Sequence, residues 1–227
     1  MMENRKKELI AEVVRGYIRQ AEPIGSKQLE KKLGVSSATI RNEMLDLEQE
    51  GFLNQPHTSA GRVPTVKAYE YYVSNFLSPK YPSELVVKEL KRLQKFNPRD
   101  DIFWKETAKK LADFSGQAVI VGFNKNDLYY TGLANLFSQP EFSHLDMVQS
   151  MSQVIDKLDE VMEGLYKDLS QEVQIKIGAN NPFGNSCATV ITSFAMPDKR
   201  VVGFLGPWRM DYEINVGLLN YVRQIIK

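Results

Sequence analysis

Residues that staple or ligate are nearly missing from this chain. Its 227 positions hold one cysteine, Cys187, and two histidines, His57 and His144. One thiol cannot close an internal disulfide, and so few soft ligands exclude a closed zinc site of Cys and His. No metal or cofactor is expected. There is no run of about 18 apolar residues, the length a membrane-crossing helix requires. The N-terminus, Met1-Met2-Glu3-Asn4-Arg5, is charged and leads into a mixed polar stretch without the apolar core of an export signal. The expected setting is the reducing cytoplasm, with no membrane partner. An excess of one charge sign is missing too, since 29 Lys plus Arg stand against 28 Asp plus Glu. Bulk charge therefore announces no polyanionic partner, which has to be argued from local residues.

Catalytic signatures are also absent. The sequence has no P-loop, no glycine-rich dinucleotide fingerprint after a strand, no nucleophile elbow and no paired histidines on a helix. An enzyme has little to stand on here. Cys187 lies in an apolar run with no histidine near it in sequence, the setting of a small core residue and not of a nucleophile. Arg209 and Asp211 follow Gly206-Pro207 and invite an anion-site reading. The better reading has Asp211 capping the last helix and Arg209 pairing locally.

What is present suits a globular protein: 43% hydrophobic and 25% charged residues, in a length that makes one or two domains. Leu9, Ile10, Val13, Val14, Tyr17 and Ile18 recur at helical spacing, predicting a first helix over 4–21. Glu22-Pro23-Ile24-Gly25 stops it, Ser26 can cap a second helix through Lys32, and Gly34 stands where a left-handed cap is needed. Ser36 opens a third helix over 37–50 with Ile40, Met44 and Leu47 on one face. Phe52-Leu53 reads as a short strand, and Thr65 can cap a fourth helix through Leu77 with a stripe of Tyr69, Tyr72, Val73 and Phe76. Ser78-Pro79-Lys80-Tyr81-Pro82-Ser83 marks a domain boundary. Beyond it, helices are expected over 83–96 and 100–115, and strands over 118–123 and 128–131. A long helix over 143–166, strands over 172–177, 186–194 and 200–205, and a last helix over 212–226 complete the chain. The expected organisation is a helical domain with a hairpin over 1–77, linker and helices over 78–116, and an α+β domain over 117–227. Charge divides unevenly among nearly the same segments: 11 basic and 10 acidic residues in 1–75, 9 and 6 in 76–118, 9 and 12 in 119–227.

Three short helices, a tight turn at Gly34-Val35 and a hairpin are the ingredients of a winged helix-turn-helix, whose third helix enters the major groove. Ser36, Ser37, Thr39, Arg41 and Asn42 cluster at the start of that helix, where base edges and phosphates are met. Arg41 has the geometry for guanine O6 and N7, and Asn42 for adenine. Beyond Asn42 the charges turn acidic at Glu43, Asp46, Glu48 and Glu50, so only the first turns can approach DNA. The loop 55–65 offers a second contact. Gly61 permits close backbone approach, Arg62 is the charged residue at its tip, and His57, Thr58 and Ser59 add hydrogen-bonding groups. Each of these residues has a blander reading as a cap, a solvated position or an ordinary loop residue. Their order along the chain is what favours DNA.

The runs Val35-Ser36-Ser37-Ala38-Thr39-Ile40-Arg41-Asn42-Glu43-Met44 and Gln55-Pro56-His57-Thr58-Ser59-Ala60-Gly61-Arg62-Val63-Pro64-Thr65 resemble the winged-helix domain of the HrcA heat-inducible transcription repressors. Gly132-Leu133-Ala134-Asn135-Leu136, Gln139-Pro140-Glu141-Phe142 and Gly206-Pro207-Trp208-Arg209-Met210-Asp211-Tyr212 are similar to later motifs of that family. The resemblance implies a fold of α+β class, a winged helix-turn-helix followed by a GAF-like domain. It implies a homodimeric repressor of chaperone genes on an inverted-repeat operator named CIRCE, double-stranded DNA as partner, and tuning by a GroE-type chaperonin. Family members are longer. Here the strand over 118–123 passes through Asn124-Lys125-Asn126-Asp127 almost directly to Gly132, so an inserted dimerising domain is expected to be missing and the GAF-like part reduced. Ala68-Tyr69-Glu70 also departs from the family's more frequent Gly-Tyr-Arg. Dimerisation then falls to the C-terminal domain, with Tyr69, Tyr72 and Phe76 as a further candidate surface; packing of those rings inside their own chain is the competing reading. Two other functional readings stay open: a ligand-sensing regulator with a small effector in the C-terminal domain, and a winged helix that binds protein.

Overall fold

Helical spacing of apolar residues builds the first of two units, which runs to Leu77. The computed structural model describes residues 4–58, 60–195 and 198–226. Helix α1 (Asn4–Gln20) buries Leu9, Ile10, Val13 and Val14. It is followed by α2 (Ser26–Leu33) and α3 (Ser37–Gln49). Strands β1 (Leu53–Asn54) and β2 (Val63–Pro64) pair antiparallel, and α4 (Val66–Phe76) closes the unit. The turn between α2 and α3 works because Gly34 takes φ +67°, a left-handed conformation that costs a glycine little. Ser26 does not cap α2. The cap position is Gly25, and the Ser26 hydroxyl lies 2.7 Å from that of Ser37, fastening α2 to α3.

The aromatic stripe of α4 is core. Tyr69 and Tyr72 are each 1% exposed, buried like Leu9, Ile10, Ile40 and Leu47 of the same unit, and α4 packs on α1. Arg15 lies over the Tyr72 ring at 5.4 Å. Those two rings are therefore unavailable as a dimer surface, and packing within their own chain is what the structure shows.

The second unit begins at Ser78. Its elements in order are α5 (Glu84–Lys91), a 3-10 turn Arg92–Lys95, α6 (Asp101–Ser115), β3 (Ala118–Asn124) and β4 (Asp127–Thr131). Then come α7 (Leu133–Phe137), a 3-10 turn Pro140–Ser143, α8 (Leu145–Asp156) and α9 (Leu158–Asp168). The unit ends with β5 (Gln174–Ile177), a 3-10 turn Gly178–Asn180, β6 (Ala188–Phe194), β7 (Arg200–Gly206) and α10 (Tyr212–Ile226). The strands form one antiparallel sheet in the order β4-β3-β7-β6-β5. Counted within the unit, that order is second, first, fifth, fourth, third, a GAF-like sheet in a fold of α+β class.

Both faces of this sheet are covered, which is why its central strands read as unbroken apolar runs and not as alternation. Ala118, Ile120, Ile191, Val201 and Leu205 pack with Leu136, Met151, Leu158 and Met162 from α7 to α9. The alternate residues face α6 and α10, where Trp104 meets Phe194 at 5.1 Å between ring centroids. Residues 78–116 belong to this unit: Lys80 N–H donates to the Glu213 carbonyl at 3.0 Å, and α6 packs on β3. A Cβ at Gly217 would stand 1.8 Å from the Lys80 carbonyl oxygen, so this close approach to α10 needs a glycine.

The expected helix over 143–166 is two helices. Lys157 leaves the helical region (φ −107°, ψ 9°), and the chain restarts with Leu158 and Met162 buried under β3. Sequence periodicity did not show α7, five residues entered from Gly132 at φ +81°. Asp211 accepts a hydrogen bond from Ile214 N–H at 3.0 Å, as a cap should, while Arg209 reaches far along the chain. It forks onto Glu141, with Nε and Nη2 at 2.5 and 3.1 Å from the two carboxylate oxygens, joining two of the later motifs across 68 residues.

Cys187 is fully buried, and burial pushes its thiol up to about 12. It is expected to resist a maleimide at pH 7.5 while the second unit is folded and to label completely in denaturant. Rapid labelling under native conditions would show that this core opens readily.

Candidate nucleic-acid interface

The start of α3 is built by its caps. Ser36 Oγ accepts a hydrogen bond from Thr39 N–H at 3.3 Å and lies 3.0 Å from the Thr39 hydroxyl. Ser37 N–H donates to the Glu30 carboxylate at 2.7 Å. The expected phosphate seat at this helix start is thus already held by an acid, and the Ser37 hydroxyl is engaged with Ser26. Of the predicted cluster, Ser36, Arg41 and Asn42 are exposed, whereas Ser37 and Thr39 are half-buried. Among the described residues, neither the Arg41 guanidinium nor the Asn42 amide has a side-chain partner.

The acidic half of α3 does not stand free. Glu43 is 6% exposed and accepts from Arg5 Nε at 2.5 Å. Lys6 reaches Asp46 at 2.9 Å and Glu50 at 3.2 Å. The hydrogen bond to Asp46 is the main cause that raises the Lys6 pKa above its ordinary value. Glu48 takes Arg62 at 2.9 Å. All four carboxylates named from the sequence are drawn sideways, toward α1 and the wing. They leave an outer strip of Ala38, Arg41, Asn42, Leu45 and Gln49, all exposed and at helical spacing. This strip carries no acid. Ala38, Leu45 and Gln49 were not named from the sequence; their period relative to Ile40, Met44 and Leu47 was the available signal. Arg5 and Lys6 gave no signal at all, because their partners lie about forty residues away in sequence.

The loop corrects two expectations. Arg62 is not at an exposed tip: its side chain is 11% exposed and paired with Glu48. Its backbone exchanges both hydrogen bonds with Ile24, each at 2.9 Å, an isolated bridge that ties the wing to the segment between α1 and α2. Gly61 does permit a close approach, but to protein. A Cβ there would stand 2.3 Å from the Ile24 carbonyl oxygen. His57 and Thr58 are exposed, in a turn closed by Ala60 N–H on the His57 carbonyl at 2.9 Å and by the Gln55 amide on the Thr58 and Ala60 carbonyls. Ser59 lies outside the described residues.

A family model described as the winged helix-turn-helix transcription repressor, HrcA DNA-binding, matches residues 1–75, and the HrcA protein C terminal domain matches residues 65–216. The chain belongs to the HrcA family. The heat-inducible transcription repressor HrcA of Bacillus pumilus (strain SAFR-032) is 25% identical over 330 aligned positions, covering 98% of this chain and 96% of the relative. That of Carboxydothermus hydrogenoformans is 24% identical over 334, covering 100% and 97%. Both alignments are longer than the 227 residues here, so these HrcA relatives carry internal residues that this chain lacks. HrcA of Thermoanaerobacter pseudethanolicus is 55% identical over 78 residues, 34% of this chain and 23% of that one. A solved structure of a hypothetical protein superposes with a TM-score of 0.78 at 17% identity, covering 100% of this chain and 99% of that one, and shows a shared fold. HrcA is a repressor family and not a class of enzymes, and no described helix is long and apolar enough to cross a membrane.

Because the Gly61 clash is with backbone, Gly61→Ala is expected to destabilise the first unit by about 1–3 kcal/mol. Urea unfolding of the chain checks this; an unchanged midpoint would mean that the wing gives way without cost.

Proposed function

We propose that this chain is a cytoplasmic, sequence-specific repressor of heat-shock chaperone genes that binds a CIRCE-type inverted repeat in double-stranded DNA as a homodimer. The observation that carries the proposal is the acid-free strip on α3 with Arg41 and Asn42 unpartnered, in a family of repressors. Inserted in the major groove, Arg41 pairs with a guanine and Asn42 with an adenine. Ser36 and Thr39 lie toward the flanking phosphates, while Ser37 holds the helix in place. In the wing, His57, Thr58 and Ser59 meet the DNA backbone or minor groove. Gly61 and Arg62 act one step back, holding the wing against Ile24 and Glu48.

Two copies, joined through the second unit, place two such helices on the two half-sites. Warming depletes the folded repressor, since a domain stands only about 5–15 kcal/mol above unfolding, and a GroE-type chaperonin restores it. A second reading has one observation in its favour. A cavity of about 340 Å³ between α8, α9 and the loop before Cys187 is lined by Met151, Val154, Lys157, Phe183 and Asn185, room for a small effector.

Binding to a labelled inverted repeat, a half-site and a scrambled duplex at two salt concentrations tests the main reading. Strong preference for the intact repeat is expected, and equal weak binding to all three would overturn it. Arg41→Ala is expected to cost about 1–3 kcal/mol and to relax preference at one base pair. Arg5→Ala, which frees the charge of Glu43, is expected to weaken binding to every duplex alike. A base-specific loss from Arg5→Ala would contradict its assigned role.

A further inference from the structure

We propose that Leu45 reads the 5-methyl group of a thymine in each half-site, which makes it a specificity-determining residue of α3. The inference rests on the operator reading above and deepens it. Leu45 is 48% exposed, while its neighbours Met44 and Leu47 are 3% and 0% exposed. A single leucine in water is ordinary on a protein surface, so exposure alone decides nothing. Its position decides. Leu45 follows Arg41 by four residues and Asn42 by three, so it stands one turn farther along the same strip. Lysine, arginine, glutamine and glutamate form helix about as well as leucine, so helix propensity does not require an apolar side chain there.

The charges around it point the same way. Asp46 is paired with Lys6, which it shares with Glu50, and Glu48 with Arg62, so the acids beside Leu45 are partly screened by cations of the same chain. A polyanion can therefore come close to a branched aliphatic group that has neither donor nor acceptor. At the base edges of the major groove the apolar feature on offer is the thymine methyl. Four helical residues advance about 6 Å. With base pairs spaced by about 3.4 Å along a strand, the thymine lies about two base pairs from the base that Arg41 reads. Enclosing one methyl group there strengthens binding about fourfold per half-site.

The test uses the full chain and an inverted-repeat duplex enriched by the protein itself from a randomised pool. Each thymine is replaced in turn by uracil, which removes only the methyl group, and affinity is measured for the wild-type chain, Leu45→Ala and Leu45→Met. Wild type is expected to lose about fourfold per half-site at one thymine position. Leu45→Ala is expected to bind more weakly and to ignore that substitution, with Leu45→Met recovering part of the sensitivity. Unchanged circular dichroism and unfolding midpoints are expected, because Leu45 is outside the core. Specific binding by wild type that is indifferent to every uracil, or a Leu45→Ala chain that keeps the wild-type uracil profile, overturns the methyl contact and leaves the operator reading standing. Failure of the pool to enrich any sequence overturns both.

Discussion

Pairing of the four carboxylates of α3 with three cations of the first unit is the constraint on which the proposed interface depends. A helix with Glu43, Asp46, Glu48 and Glu50 would be repelled by phosphates if those charges faced outward. Instead, Arg5 and Lys6 from α1 take three of them and Arg62 from the wing takes the fourth. The pairs of Lys6, on exposed carboxylates, contribute little to stability, typically about 0–1 kcal/mol, while those of Glu43 and Arg62 are largely buried. Their larger effect is on where charge points. The same contacts fix α1, α3 and the wing in one arrangement, so the outer strip is presented on a rigid support.

The wing follows the same logic. It is anchored at Ile24 by two backbone hydrogen bonds and at Glu48 by a guanidinium, and Gly61 is what lets the two backbones meet. Rigidity at that point positions the exposed turn with His57 and Thr58. In the second unit, the covered sheet and the fork of Arg209 onto Glu141 play a comparable part, holding loops that are far apart in sequence. Met162 under β3 shows how the break at Lys157 serves the core: the helix stops and restarts so that its apolar side meets the sheet.

Most of the first unit was legible in sequence because its signals are local. Gly34, Ser36 and Thr65 announce turn and caps within a few residues of where they act, and the apolar period of α1 and α3 is regular. The order of the sheet and the packing of residues 78–116 against α10 were not legible, since both depend on pairing between distant segments. On the proposed interface, the exposed Arg41 and Asn42 could be named from type and position. The reassignment of Gly61 and Arg62 could not be foreseen, because a glycine and an arginine in a polar loop look alike whether they face DNA or Ile24 and Glu48. Lys157 is a further case: neither proline nor glycine marks the break.

The length of the outer strip sets how much sequence one copy can distinguish. From Ala38 to Gln49 the helix advances about 16 Å, which spans about five base-pair steps. Full discrimination over five pairs separates about a thousand sequences, far fewer than the roughly 10⁶ or more competing sites in a genome. Two such strips, reading ten pairs together, reach about a million. In informational terms, a single recognition face of this size is half an address, and in the proposed repressor an inverted repeat supplies the other half.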